Sequence, residues 1–412
     1  MVEFHRFSLE NGLKVIVHQD ETTPIVTFNL LYNVGSRDED PERTGFAHLF
    51  EHLMFGGSVN IPVYDEPLER AGGENNAFTS TDITNYYITV PRENLETAFW
   101  LESDRMLSLD FSQRSLDIQK SVVIEEFNQR YLNQPYGDAW LLLRPLAYKV
   151  HPYRWPTIGK DPKHIMDSNL QEVKDFFFSY YAPNNAILCL SGNVTIDEVK
   201  HLANKWFAPI PSREVKPKNL PKEPTQIEQR VMEVTRSVPF HSIYTAFHMC
   251  HRLHPDYHVV DLISDILSNG KSSRLYQNLV KGKELFSSID AYITGEIDEG
   301  LLVVAGILNK DVDPYDAQGA IFEELQDLPK SLNEQELEKV KNRLESTFTF
   351  GLTNSLDKAM NLCYFELLGD ANMINTEVER YRKVTIADVQ RVSSRLFNVS
   401  NSSTLIYRAE KR

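Results

Sequence analysis

The order of secondary-structure signals before residue 211 recurs after residue 229, and a duplicated order of this kind leaves few folds open. The intervening residues 211–229 are crowded with proline, lysine and glutamate, including Pro217, Pro221 and Pro224, and read as a linker. Before it, periodicity predicts strands over 13–18 and 25–32 and a helix over 44–55 that stops at Gly56-Gly57. After it, strands over 230–234 and 242–248 lead into a helix over 257–267 that stops at Asn269-Gly270. Each half continues with a strand pair (76–90; 287–308) and a helix (95–107; 315–325). Two more helices follow (116–131 and 137–148; 334–348 and 355–368), then a closing helix and strand (170–181 and 185–190; 386–397 and 403–407). Strand pairs mixed with helix pairs predict an α+β class, with largely antiparallel sheets and helices packed on one face. The expected domains are 1–210 and 230–412, joined by 211–229.

A chain of 412 residues can bury two cores, and 42% hydrophobic with 25% charged residues is the composition of a globular protein. Its net charge of −15 opposes phosphate backbones and anionic headgroups, so neither nucleic acid nor membrane is an expected partner. Three dispersed cysteines, Cys189, Cys250 and Cys363, give neither a disulfide framework nor a thiolate metal site. The residues from Met1 to Arg6 lack the cationic and apolar regions of a secretory leader, and no apolar run is long enough to span a bilayer. The expected location is cytoplasmic.

The helix after Gly45 reads His48-Leu49-Phe50-Glu51-His52. Positions i, i+3 and i+4 share one helix face, so His48, Glu51 and His52 project together from an otherwise apolar segment. Two imidazoles one turn apart can both reach a zinc ion at ~2 Å, with the glutamate beside the open coordination position. Burying three polar groups together also calls for a partner, which a metal supplies. A third ligand is needed, and the best source is the apolar helix segment holding Val122, Val123, Ile124, Glu125, Glu126 and Phe127. Adjacent residues lie about 100° apart on a helix, so one of Glu125 and Glu126 faces the metal; periodicity does not say which.

The residues 45–52 with Met54-Phe55-Gly56-Gly57, Gly72-Gly73 before Asn76-Ala77-Phe78-Thr79, the 122–126 segment, and Ser272-Ser273-Arg274-Leu275 together resemble the pitrilysin-like M16 metallopeptidases. The likeness is to the inverzincin type, HxxEH, and to the mid-sized branch that includes the mitochondrial processing peptidase, and it covers nearly the whole chain. It implies a zinc endopeptidase with two homologous domains facing each other across a chamber, the second inactive. It selects Glu126 over Glu125 as third ligand, seventy-odd residues beyond the second histidine. It assigns Glu51 as general base, and Asn76, Ala77 and Phe78 to an edge strand that holds extended substrate by main-chain bonds.

Aligning the two halves sets Asp261, Ser264 and Asp265 against His48, Glu51 and His52, so the second half lacks imidazole ligands and a matching base. The family's substrate-holding Arg and Tyr fall on Val280 and Ser287, with Tyr276 and Tyr292 nearby as alternatives. Gln119 stands where relatives often carry a Glu that supports a metal ligand from behind. Some members of the family work as pairs of unlike chains. The resemblance therefore implies a dimer, with a heterodimer partner that lacks the zinc motif and supplies Arg and Tyr. The competing reading is a non-catalytic scaffold or peptide-binding subunit.

Overall fold

The computed structural model describes residues 1–410, which form two compact units. The strands are β1 (His5–Ser8), β2 (Lys14–Gln19), β3 (Ile25–Tyr32), β4 (Glu74–Thr79), β5 (Thr84–Pro91), β6 (Ala186–Gly192), β7 (Arg230–Arg236), β8 (Ser242–His248), β9 (Phe286–Ile293), β10 (Leu301–Leu308) and β11 (Ser402–Ala409). The helices of the first half are α1 (Phe46–Leu53), α2 (Asp65–Arg70), α3 (Leu95–Leu107), α4 (Gln113–Phe127), α5 (Ala139–Ala147), α6 (Lys163–Met166), α7 (Leu170–Tyr180) and α8 (Ile196–Trp206). Those of the second are α9 (Tyr257–Ser268), α10 (Pro314–Ser331), α11 (Glu334–Gly351), α12 (Ser355–Leu367), α13 (Glu377–Arg382) and α14 (Ile386–Leu396).

The element order repeats as the sequence predicts, and the strand order within the sheets, which the sequence does not give, repeats with it. The first runs β1-β2-β6-β3-β5-β4 and the second β7-β11-β8-β10-β9, so that setting β1 aside the two orders coincide strand for strand. Even the single parallel pairing recurs in place, β2 with β6 and β7 with β11, while the other pairs are antiparallel.

The compact units are not the contiguous segments 1–210 and 230–412. The first unit comprises residues 1–128, 155–220 and 349–376; the second comprises 129–154, 221–348 and 377–412. A helix is thus exchanged each way, α12 into the first unit and α5 into the second. Each half's own helices cover one face of its sheet, as expected. In the first, Phe28 of β3 meets Phe99 of α3 edge-on at 5.1 Å and stacks with Phe207 beyond α8 at 6.2 Å. The neighbouring residues point the other way. There α12 is seated, with the Cys363 sulfur 3.5 Å from the Ile187 carbonyl oxygen and beside Cys189, whose thiol is pushed up by burial and by that contact. The second sheet shows the same alternation. Leu302, Val304 and Ile406 join the core of α9, α10 and α14, whereas Leu301, Val303, Leu405 and Tyr407 pack on Ala139, Leu143 and Ala147 of α5.

The linker is irregular, and the chain leaves the first unit at Leu220. Two of its charged residues, Lys218 and Glu223, are anchors, so it is not a free tether. Lys218 donates to Asp38 at 2.8 Å and Asn33 at 2.9 Å, within the first unit. Within the second, buried Glu223 accepts from the backbone of Lys149, Val150 and His151 at 2.7, 2.9 and 2.9 Å. The three cysteines are free, two buried and Cys250 half-buried. No helix among the described residues is long and apolar enough to cross a membrane.

Candidate metal centre

Helix α1 begins abruptly because Gly45 holds φ +92°, and a Cβ there would stand 2.7 Å from the Ile158 carbonyl oxygen. The buried Glu39 carboxylate accepts from the backbone N–H of Gly45 at 2.9 Å and of Ala47 at 2.8 Å, serving orphan donors at the positive end of the helix. Burial raises its pKa well above the usual range, against the lowering pull of those two amides. Phe46, Leu49, Phe50 and Leu53 face the core, where Phe50 stacks on Phe176 at 5.3 Å and meets Tyr181 at 5.2 Å. With those faces committed, His48, Glu51 and His52 are left half-buried on the remaining one.

Helix α4 packs against α1 and presents Glu126 to it. The His48 and His52 Nε2 atoms lie 3.6 and 3.4 Å from Glu126 Oε2, with side-chain exposures of 12%, 25% and 19%. All three donor atoms fall within 4.8 Å of one another, and they form the one such grouping of histidine, cysteine and acidic groups among the described residues. Ordinary N–H···O bonds are shorter, at 2.7–3.2 Å. Ligand atoms sharing a tetrahedral zinc at 2.0–2.2 Å stand about 3.4 Å apart. The spacing therefore fits an intervening zinc ion better than direct pairing, and the two imidazoles stand edge to face at 4.9 Å.

Glu125 is exposed on α4, so the geometry brings together Glu126 and the two histidines and leaves Glu125 outside. The helix is less buried than its apolar run predicts: Val123 and Phe127 are in the core, but Val122 is 45% exposed. Gln119 lies two turns before Glu126 on the same face, half-buried. The Glu51 carboxylate accepts a hydrogen bond from the Thr79 hydroxyl at 2.6 Å, a contact the motif did not announce.

Asn76, Ala77 and Phe78 lie on β4, an outermost strand of the first sheet. Their exposures alternate, with Asn76 and Phe78 open and Ala77 half-buried. The Ala77 amide donates to the side chain of Asn76 at 2.8 Å, so a polar side chain occupies a main-chain donor on this strand.

Among the described residues, the counterpart helix α9 in the second unit carries no metal grouping. Asp261 accepts from the Tyr381 hydroxyl at 2.6 Å, its carboxyl raised by burial; Ser264 donates to the Asp261 carbonyl at 2.8 Å; Asp265 accepts from the Asn269 amide at 2.7 Å. Val280 packs on the core, and exposed Ser287 donates to the Ile307 carbonyl at 3.1 Å. Tyr276 and Tyr292 are half-buried, and burial raises the Tyr292 phenol to about 12. Arg274 is committed to Glu336 by two bonds, at 2.7 and 2.8 Å.

Two family models match the chain: "Insulinase (Peptidase family M16)" over residues 14–139 and "Peptidase M16 inactive domain" over 167–344. The chain is 30% identical over 405 residues to the zinc protease PqqE of Helicobacter pylori, covering 97% of this chain and 91% of that one. It is 24% identical to the uncharacterized zinc protease YmxG of Bacillus subtilis, covering 97% of each. The crystal structure of a protease from Helicobacter pylori superposes with a TM-score of 0.94 at 29% identity, over 99% of this chain and 100% of that chain.

Proposed function

The chain belongs to the M16 peptidase family, and from that premise we propose that it is a zinc endopeptidase, with His48, His52 and Glu126 as ligands and Glu51 as general base. The observation that carries the reading is the convergence of two imidazole nitrogens and one carboxylate oxygen at zinc spacing, with a glutamate on the adjacent turn. Relatives described as zinc proteases support it.

A bound zinc ion supplies Lewis acidity toward water and a peptide carbonyl. Glu51 accepts the proton of the attacking water at a carboxylate oxygen and returns it to the leaving amine nitrogen, so that the peptide C–N bond breaks and two termini form. β4 orients the substrate as an added strand through Asn76, Ala77 and Phe78, with Asn76 releasing the Ala77 amide it covers. The second unit shapes and binds.

The absence of Arg and Tyr at Val280 and Ser287 supports a second chain that supplies them, in a heterodimer, and it is also what favours the scaffold reading. The test is to purify the chain alone and with a co-encoded relative, measure bound zinc and assay a peptide library. Cleavage with one zinc per chain is expected, and Glu51→Gln should lower kcat by ~10²–10⁴-fold while retaining zinc. Zinc without cleavage in either sample would favour the scaffold, and cleavage only in the mixture the two-chain site. Efficient cleavage by the chain alone would exclude the need for a partner.

A further inference from the structure

We infer that Thr79 is a positioning residue for Glu51, holding its carboxylate in the orientation that proton transfer requires; the inference rests on the hydrolytic reading above. The Thr79 hydroxyl donates to Glu51 Oε2 at 2.6 Å, the length of a charge-assisted O–H···O bond. Among the described residues this is the sole hydrogen bond of that carboxylate, which otherwise turns about three side-chain torsions. Threonine suits the task, since β-branching restricts χ1 and so aims the hydroxyl. Both groups are half-buried, where a hydrogen bond to an anion is stronger than in water.

One segment pins both partners. At its start, Gly35 lies so close to the turn after β4 that a Cβ would stand 2.5 Å from the Thr81 carbonyl oxygen and the Asp82 amide. Ser36 and Arg37 donate backbone bonds to the carbonyls of Ser80 and Thr81 at 3.2 and 2.9 Å, and buried Arg37 pairs with buried Asp82 at 2.7 Å. At its end, Glu39 caps α1 through Gly45 and Ala47. The strand end that carries Thr79 and the helix that carries Glu51 are therefore fixed to the same five residues, which holds the two backbones at a separation the hydroxyl and the carboxylate can bridge. Thr79 also ends the strand proposed to hold substrate, so peptide and base share one support.

The test compares the full chain with Thr79→Val, which keeps the branched shape and removes the hydroxyl, and Thr79→Ser, which restores it. Thr79→Val should lower kcat by ~10–100-fold with KM and zinc stoichiometry unchanged, and Thr79→Ser should recover most of the loss. In the Glu51→Gln background, Thr79→Val should leave peptide affinity unchanged; weakened binding would make Thr79 a substrate contact and overturn the inference. A crystallographic arm needs no turnover: Glu51 should occupy one rotamer in the parent chain and several in Thr79→Val. An unchanged rotamer with undiminished kcat would also overturn it. A parent chain that holds no zinc and cleaves nothing, alone or in the mixture, would instead defeat the hydrolytic reading, and the rotamer comparison would still decide the Thr79 contact.

Discussion

At the residue scale, two adjacent glutamates pose the sharpest question. Helical periodicity requires that Glu125 and Glu126 diverge but is indifferent to which one faces α1, because the apolar run around them marks burial on more than one side; Val122 turns out to be exposed. The packing of α4 on α1 resolves it by setting Glu126 Oε2 3.4 Å from His52 Nε2. Glu126→Gln replaces the proposed anionic ligand with a neutral amide and should weaken zinc binding by at least ~10–100-fold, the range seen even for outer-shell partners. Glu125→Gln should leave it unchanged. Competition with a zinc-selective dye measures both, and equal losses would reassign the ligand. The histidine pair and its glutamate were legible in the sequence because one helix turn contains them all. The Thr79 hydroxyl was not, because its approach to Glu51 depends on how a strand end meets a helix 28 positions away in the chain.

At the element scale, boundaries were legible wherever a local signal sets them. β3 and β8 occupy the predicted spans end to end, since unbroken apolar runs and alternation define them. α1 starts two residues later than predicted, because Gly45 at φ +92° cannot belong to the helix. α8 falls outside the predicted elements although its signal is present: Thr195 accepts from the Glu198 amide at the N-terminus, with Asp197 and Glu198 in the first turn. Composition marks the linker's lack of regular structure but not what its charges hold. Glu223 shows the difference. Burial alone would raise its pKa, but the amides of His151, Val150 and Lys149 outweigh that and lower it below 4.5. A depressed folded-state value means that the stabilisation is complete above the unfolded value and is lost as pH falls through the folded one. Glu223→Gln cannot accept with both side-chain atoms, so it should destabilise the chain at pH 7 by ~1–3 kcal/mol. The gap from the parent in urea unfolding should narrow as pH drops below 4.5. A gap constant from pH 7 to 3 would show that the charge plays no part.

At the scale of the whole molecule, the duplication was readable but the exchange of helices was not. Periodicity reveals that α5 and α12 each have an apolar face; nothing local says which sheet that face will meet. Those faces matter energetically. Ala359, Leu362, Cys363 and Phe365 of α12 are essentially fully buried in the first unit, or 2% exposed in the case of Phe365. Uncovering a large apolar side chain costs ~1.5–3 kcal/mol, so losing α12 removes an amount comparable with the ~5–15 kcal/mol of a typical domain. The segment 1–220 contains every strand of the first sheet and all three proposed ligands, but it lacks α12 and retains an α5 with nothing to cover. Expressed alone it should fail to give a cooperatively folded, zinc-binding protein, as should 221–412. Co-expressed, the two pieces should form a soluble 1:1 complex that binds one zinc, because the exchanged helices need only meet their sheets and not be covalently joined there. Affinity pull-down of tagged 1–220, with zinc analysis and a melting curve, measures this. A monomeric 1–220 that unfolds cooperatively and holds zinc would mean that the first sheet closes without the borrowed helix, and that the sequence boundary near residue 210 is a true one.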